Sequence, residues 1–403
     1  MSYHLSFGSV VVVDFLQLAA EHEQNVIEWR RHLHRNPELS GREKETAKFV
    51  SNVLKSFGVD EVDIVGETGV AALIRGGCAG KTLALRADMD ALPGEEKTGL
   101  PFSSKNPEAA HLCGHDAHTA ILLGVAQILH SLKEKFSGNV RLVFQPAEEN
   151  LTGAKLMIRG GVLDSPEVDC IAGLHLWPAL PAGTVGLRYG ASMAAADSVK
   201  IEFRGSQGHA AHPHECVDPL LMAGQFLVNV QAIVSREIAP ADSAVLSFGK
   251  ISGGTVGNII PDKVLLEGSI RTLLPETRER MAAALERFAS SAAQGMRGEA
   301  SVTISRGVPP LASSTELLAL FENSAKELLG ADRVVHLVAP SMGSEDFAYY
   351  LERVPGFFFR IGVARQGELM RPLHSAAFDP DESSFKTGVA VLCRFAMDFL
   401  ARE

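Results

Sequence analysis

Residues 140–149 read VRLVFQPAEE, an apolar run that ends abruptly in proline and two carboxylates. A short apolar run closed by turn residues reads as a buried β-strand. Two other stretches follow the same pattern. Thr82–Arg86 runs into Ala87-Asp88-Met89-Asp90, and Cys170–Leu174 runs into His175. Between the first two lies Thr119–Leu132, an almost wholly apolar segment of helical length. Strands that alternate with helices predict an α/β sheet. Ligands of such sheets bind beyond the carboxyl ends of the strands, so the three polar strand ends are expected to meet at one site.

Working outward, Phe15–His34 and Glu43–Phe57 carry helical spacing ahead of the first strand. Beyond Asp197 the order becomes strand (Ser198–Arg204), helix (Val217–Ser235), two strands (Ser243–Ile251 and Lys263–Thr272), helix (Glu276–Ala293) and strand (Ser301–Ser305). This βαββαβ order is the ferredoxin-like α+β arrangement. A helix over Ser314–Leu329 and a buried strand over Phe357–Val363 follow, with His374 on a loop after them. At 403 residues the chain exceeds what one core normally supports. The expected organisation is an α/β domain in two parts, 1–196 and 307–403, interrupted by an inserted α+β domain at 197–306.

Composition narrows the function. Apolar residues make up 46% and charged residues 21%, ordinary for a globular protein. The net charge of −10 comes without a long basic run, which argues against nucleic acid or an anionic membrane as partner and leaves small anionic substrates to local arginines. Cys78, Cys113, Cys170, Cys216 and Cys393 are odd in number and scattered, so a reducing compartment is expected rather than a disulfide framework. The apolar opening Phe7–Ala20 has no basic lead and is interrupted by Asp14, and no apolar run is long enough to span a bilayer. These features together read as cytoplasmic.

The chemistry gathers in HLCGHDAHTA (111–120). A lone cysteine or histidine is usually structural, but several in one small volume call for something to bind them. Cys113 and His115 flank Gly114, and a glycine turn can aim both at one point. Mixed thiolate and imidazole donors suit zinc and its first-row neighbours. Glu148-Glu149 is the second feature. By itself it would read as a solvated acidic turn. After a buried strand, neighbours on an extended stretch point apart, so one carboxylate could ligate metal and the other serve as general base. Spacing does not decide which does which.

Collinear motifs along nearly the whole chain carry a resemblance: RRHLHRNPELS (30–40), LRADMDALP (85–93), HLCGHDAHTAILLG (111–124), FQPAEEN (144–150), GLHLWP (173–178), GHAAHPH (208–214), NIIPD (258–262), SEDFAYYLERVPG (344–356) and LHSAAFDPDE (373–382). The chain resembles the zinc-dependent aminoacylase and carboxypeptidase-type metallopeptidases, in the amidohydrolase branch. That branch includes hippurate hydrolases, N-acyl-amino-acid amidohydrolases and indole-acetyl-amino-acid hydrolases. The resemblance implies a di-metal exopeptidase-like catalytic domain with an inserted lid and dimerisation domain. It implies Cys113, His115, Glu149, His175 and His374 as ligands of two divalent ions, zinc first, with manganese, cobalt and nickel also compatible. It implies Glu148 as general base and Asp90 as the carboxylate that orients a ligand imidazole. His209 falls on a histidine that reaches the reacting carbonyl, in some relatives from a neighbouring subunit. Asn258 and Arg271 fall on residues that hold the substrate carboxylate. Asp88 stands where other branches have a histidine ligand, so it is not expected to ligate.

The reaction so implied is hydrolysis of an N-acyl amino acid by a homodimer whose inserted domain swings about hinges near 194–197 and 307–310. A dipeptidase or carboxypeptidase is the alternative within the superfamily. A serine hydrolase is disfavoured because Gly190-Ala191-Ser192-Met193-Ala194 lacks the second glycine of a nucleophile elbow. A binding module without catalysis is disfavoured by Glu148, since pure metal binding has no use for a base beside the ligands.

Overall fold

The computed structural model describes residues 13–59 and 61–402. In chain order the elements used below are α1 (Phe15–Arg35), α2 (Lys44–Ser56), β1 (Glu61–Val65), β2 (Gly69–Arg75), β3 (Cys78–Asp88), α3 (His115–Ser131), β4 (Ser137–Gln145), α4 (Gly153–Arg159), β5 (Cys170–Pro181) and β6 (Val185–Leu187). They continue with β7 (Ala195–Arg204), α5 (Pro219–Asn229), β8 (Ala244–Gly253), β9 (Lys263–Thr272), α6 (Pro275–Gln294), β10 (Glu299–Ser305), α7 (Thr315–Leu329), β11 (Val334–His336), β12 (Gly356–Ala364) and α8 (Phe385–Leu400).

Eight strands form one mixed sheet in the order β1-β2-β4-β3-β5-β12-β6-β11. Its centre, β4-β3-β5-β12, is parallel, so the carboxyl ends of four strands open on the same edge. Asp88 pairs with Gln145 there, and Arg360 of β12 lies opposite His175 of β5. The expected α/β sheet is therefore present; Asp88 and Gln145 end their strands, whereas His175, expected at a strand end, lies within β5, which continues to Pro181. On one face, α1, α3 and α8 bury a continuous apolar core with the sheet. Phe321 of α7 stacks within 4.8 and 4.4 Å (ring centroids) of Phe357 and Phe359. On the opposite face Val143, Met157, Phe347 and Phe358 form a second core under α4. Alternation along β12 thus sends Phe357, Phe359 and Ile361 into the first core and leaves Phe358 and Arg360 on the site's side.

The helix expected from Thr119 begins four residues earlier, at His115, because Gly114 supplies a positive φ (94°) at its N-cap. The helix expected from Val217 begins at Pro219 instead. Asp218 caps it, accepting from the Leu220 and Leu221 N–H groups. Residues 195–305 contribute a separate antiparallel sheet, β8-β9-β7-β10, with α5 and α6 on one face around Phe203, Phe226, Met222, Leu266 and Leu285. Its strand order is that of the ferredoxin-like arrangement. Of the apolar opening, Val13 onward belongs to the description, and Phe15–Ala20 is the first part of α1; residues 7–12 lie outside the described residues.

Close helix approach is visible at Gly124 in α3, where an added Cβ would stand 2.7 Å from Val26 of α1 and 3.0 Å from Val389 of α8. Replacing Gly124→Val should overpack this junction and lower stability by about 2–3 kcal/mol, seen as a lower urea-unfolding midpoint. Gly224 on the exposed side of α5 has nothing near its would-be Cβ. Gly224→Ala should raise the midpoint, by up to about 1 kcal/mol, through helix propensity alone.

Candidate metal centre and active site

The 111–118 cluster divides into residues that hold the fold and residues that face a site. His111 is buried, and burial lowers its imidazole to about 4, so it stays neutral. Asp116 accepts from Arg30 Nε at 2.8 Å and pairs with His34 Nδ1 at 2.8 Å. His118 donates from Nδ1 to Asp88 Oδ1 at 2.6 Å, while its Nε2 accepts from the Leu176 N–H at 2.9 Å. Both nitrogens of that ring are spent. Cys113 and His115 remain, aimed together by the Gly114 turn.

These two meet donors from other elements. Cys113, His115 and His175 form one triad whose donor atoms lie within 4.8 Å of one another. Cys113, Glu149 and His374 form a second such triad, and His115, Glu148 and Glu149 a third. All five expected ligands thus belong to one overlapping set. His175 donates Nδ1–H to the Leu176 carbonyl at 2.7 Å and points Nε2 at Cys113 Sγ, 3.4 Å away. Burial, reinforced by His118, holds this imidazole well below the usual histidine range, hence neutral and able to ligate. His115 donates Nδ1–H to Asp90 Oδ1 at 3.1 Å, and its Nε2 lies 3.8 Å from both Asp88 Oδ2 and Glu149 Oε1. His374 Nε2 approaches Glu149 Oε1 at 3.5 Å from the exposed side.

Two observations fit a divalent ion to this set. His115 Nε2 and Glu149 Oε1 are buried polar atoms with no hydrogen-bond partner, which is costly unless something else satisfies them. Negative charge is also in surplus, since Asp88, Asp90, Glu148, Glu149, Glu345 and Asp346 face Arg86 and His115. Burial pushes the His115 imidazole down, yet Asp88, Cys113 and Asp90 outweigh it and hold it well above its usual range. A proton on Nε2 or a divalent cation there answers the same surplus. Burial likewise holds the Cys113 thiol well above its ordinary range, so ligation by this sulfur releases a proton.

Glu148 and Glu149 differ from expectation in one respect. They sit on a turn after β4 rather than on extended backbone, and both carboxylates reach His115. Environment, not strand geometry, separates them. Glu148 is buried, and burial with like charge from Glu345 and Asp346 raises its carboxyl well above the usual range. Glu149 lies between His115 and His374. Asp90 braces the segments that carry His115 and Glu149, because Oδ1 accepts from His115 and Oδ2 from Ser40 Oγ (2.6 Å) and the Glu149 N–H (3.1 Å).

A cavity of about 430 Å³ adjoins these groups, lined in part by Cys113, Glu148, His175 and His374. Arg271 of β9 enters it from the four-stranded unit and donates to Ser344 Oγ at 2.5 Å. His209 and Asn258 do not line it. They are exposed neighbours on the same unit, joined by the Ala210 N–H to the Asn258 carbonyl at 3.1 Å. Asp88 uses Oδ1 for His118 and Oδ2 for Arg86, and with His115 and His118 it forms a further group whose donor atoms lie within 4.8 Å of one another.

Several contributors lay outside the sequence reading. Arg86 joins Asp88, Gln145, Glu345 and Asp346 at 2.7–3.1 Å. Glu43, raised to about 7 by burial, accepts from the Ala147 N–H at 2.8 Å and so anchors the turn before Glu148. An arginine closing a buried apolar run, and paired carboxylates ahead of an aromatic one at 345–350, were the available signals.

Sheet, inserted unit and donor set together define an exopeptidase-like metallohydrolase. The chain belongs to peptidase family M20/M25/M40, whose model matches residues 84–398. It is 42% identical over 362 residues to N-acetyl-L-cysteine deacetylase of Bacillus subtilis, covering 90% of this chain and 85% of that protein. It is 37% identical over 383 residues to thermostable carboxypeptidase 2 of Saccharolobus solfataricus, with 94% and 96% covered. A crystal structure from Bacillus subtilis, described as a dinuclear metal-binding peptidase of the M20 family, matches with a TM-score of 0.85 at 34% identity, over 95% of this chain and 99% of that one.

Asp90→Asn removes the charge that orients His115 while keeping its shape. Affinity for a divalent ion should fall about 10- to 100-fold, measured by competition with a chelating dye.

Proposed function

We propose that this chain hydrolyses the amide bond of N-acyl amino acids, releasing a carboxylate and a free amino acid. The observation that carries this reading is the pairing, in one cavity, of a buried carboxylate beside the donor triads with a guanidinium from the other unit. Cys113, His115, Glu149, His175 and His374 would hold two divalent ions, and the thiolate favours zinc, with manganese, cobalt and nickel also compatible. Such ions supply Lewis acidity, polarising the acyl carbonyl and acidifying water.

The chain's own groups account for the rest. Glu148 takes the proton of the attacking water and returns it to the leaving amine, and burial beside Glu345 and Asp346 raises its proton affinity. Arg271 holds the substrate's free carboxylate, with Asn258 beside it. His209 accepts the Ala211 N–H at Nδ1 (3.0 Å), which leaves Nε2–H as the ring's donor for a developing oxyanion. Its exposed position requires the unit at 197–306 to close over the cavity, or a second copy to supply the ring. β8 is an edge strand with Val245 and Ile251 exposed, which suits pairing of two copies in a two-fold dimer. The absence of disulfides among the five cysteines fits a cytoplasmic setting.

A carboxypeptidase or dipeptidase is the second reading, favoured by the identity to the Saccharolobus enzyme. Turnover of N-acetyl and N-benzoyl amino acids against free dipeptides, each with and without chelator, separates the two. Glu148→Gln should keep bound metal near the wild-type level and reduce kcat about 10²-fold or more. Loss of metal instead would mean that Glu148 and Glu149 exchange these roles.

A further inference from the structure

Arg360 is 3% exposed and lines the reaction cavity, yet no hydrogen bond or ion pair among the described residues holds its guanidinium. Its Nη2 is buried without a partner, and its one described contact is the Trp177 ring, 3.7 Å from the guanidinium carbon to the centroid. Burial lowers it to about 10, and the neighbour that adds to this is another cation, Arg188. Arg188 itself is held by the backbone carbonyls of Ala191, Leu337 and Val338 rather than by a carboxylate. No ion pair links Arg360 to a carboxylate lining the cavity: Glu345 is held by Arg86, and Glu148 and Glu149 lie toward His115. A buried cation left unpaired is costly, so a partner that arrives with the substrate is the economical explanation. β-sheet register places Arg360 beside His175, at the reacting end of the cavity.

Resting on the amidohydrolase reading, we propose that Arg360 binds a second carboxylate of the substrate, so that the preferred substrates are dianionic N-acyl amino acids. Arg271 is the cation for the free α-carboxylate, and the flat, partnerless fork on Trp177 matches another carboxylate in both charge and geometry. That group can sit at the far end of the acyl chain or on the amino-acid side chain. The chemistry is the same in both cases.

Two matched pairs separate these sources: N-succinyl- against N-butyryl-L-methionine, and N-acetyl-L-glutamate against N-acetyl-L-glutamine. Wild-type enzyme should favour the dianion of one pair by about tenfold or more in kcat/KM, the effect expected of one charge-assisted hydrogen bond. Arg360→Met should bring that ratio close to one, chiefly through a higher KM for the dianion. Arg360→Lys should retain part of the preference, and with the wild-type ratio it decides the matter even if the methionine variant fails to fold. A wild-type ratio near or below one for both pairs would overturn the proposal. So would an equal loss on both members of a pair in Arg360→Met, which is what a mere brace for Trp177 produces. Turnover of the monoanions without preference defeats this inference alone, whereas turnover of neither class defeats the amidohydrolase reading with it.

Discussion

The buried guanidinium of Arg86 is the constraint around which the centre is arranged. Near the end of β3 it donates to Gln145 at the end of β4 and to Asp88, Glu345 and Asp346, one positive charge shared among three carboxyl groups. Asp346 in turn accepts from Gln145 Nε2 at 2.7 Å and from the Ala154 N–H at 2.9 Å, which fixes the start of α4. Breaking a buried pair of this kind costs about 3–5 kcal/mol, because the surviving charge is stranded. The same concentration of charge has a chemical effect. Burial carries the Asp346 carboxyl up to about 8 even against Arg86, and the acids around it help raise Glu148. The acids gathered on this cation thus join the strand ends to the raised proton affinity of Glu148.

Around that hub, turns rather than regular elements aim the donors. Ala147 and His374 have φ of 53° and 63°, a left-handed conformation that non-glycine residues adopt at a cost. Each is held by a specific bond. Glu43 accepts the Ala147 N–H, and the Leu112 carbonyl accepts the His374 N–H at 2.8 Å. Strain so restrained is a means of preorganisation, since the donors do not have to search for their positions.

Much of this was legible from the order of residues, and the reasons are physical. Apolar runs that stop at Asp88, Gln145 and His175 mark parallel strands because such strands are buried on both faces. The βαββαβ order of 197–306 was readable from alternating patterns separated by turn residues. The candidate ligands stood out because cysteine, histidine and glutamate rarely crowd together without cause. What escaped was whatever depends on depth. Arg86 and Arg360 look like ordinary strand arginines until burial is known, and Glu43 looks like a solvated helix start. The expectation that Glu148 and Glu149 diverge failed because Pro146 and the left-handed Ala147 end the strand before them, and a turn obeys no two-residue alternation. The placement of His209 and Asn258 on an exposed tip depends on how two units are oriented, which local pattern does not encode.

His118 bears on how many ions such a cluster can accept. Its ring stands 5.3 Å from that of His115 and 4.7 Å from that of His175, close enough to be mistaken for a further ligand. Both of its nitrogens are already committed, one to Asp88 and the other to the backbone of Leu176. An incoming ion would have to displace a hydrogen bond made in a dry interior before it gained a bond to that ring. Ligation by His118 is thus opposed by bonds already made. His118 is a rivet between α3, β3 and β5.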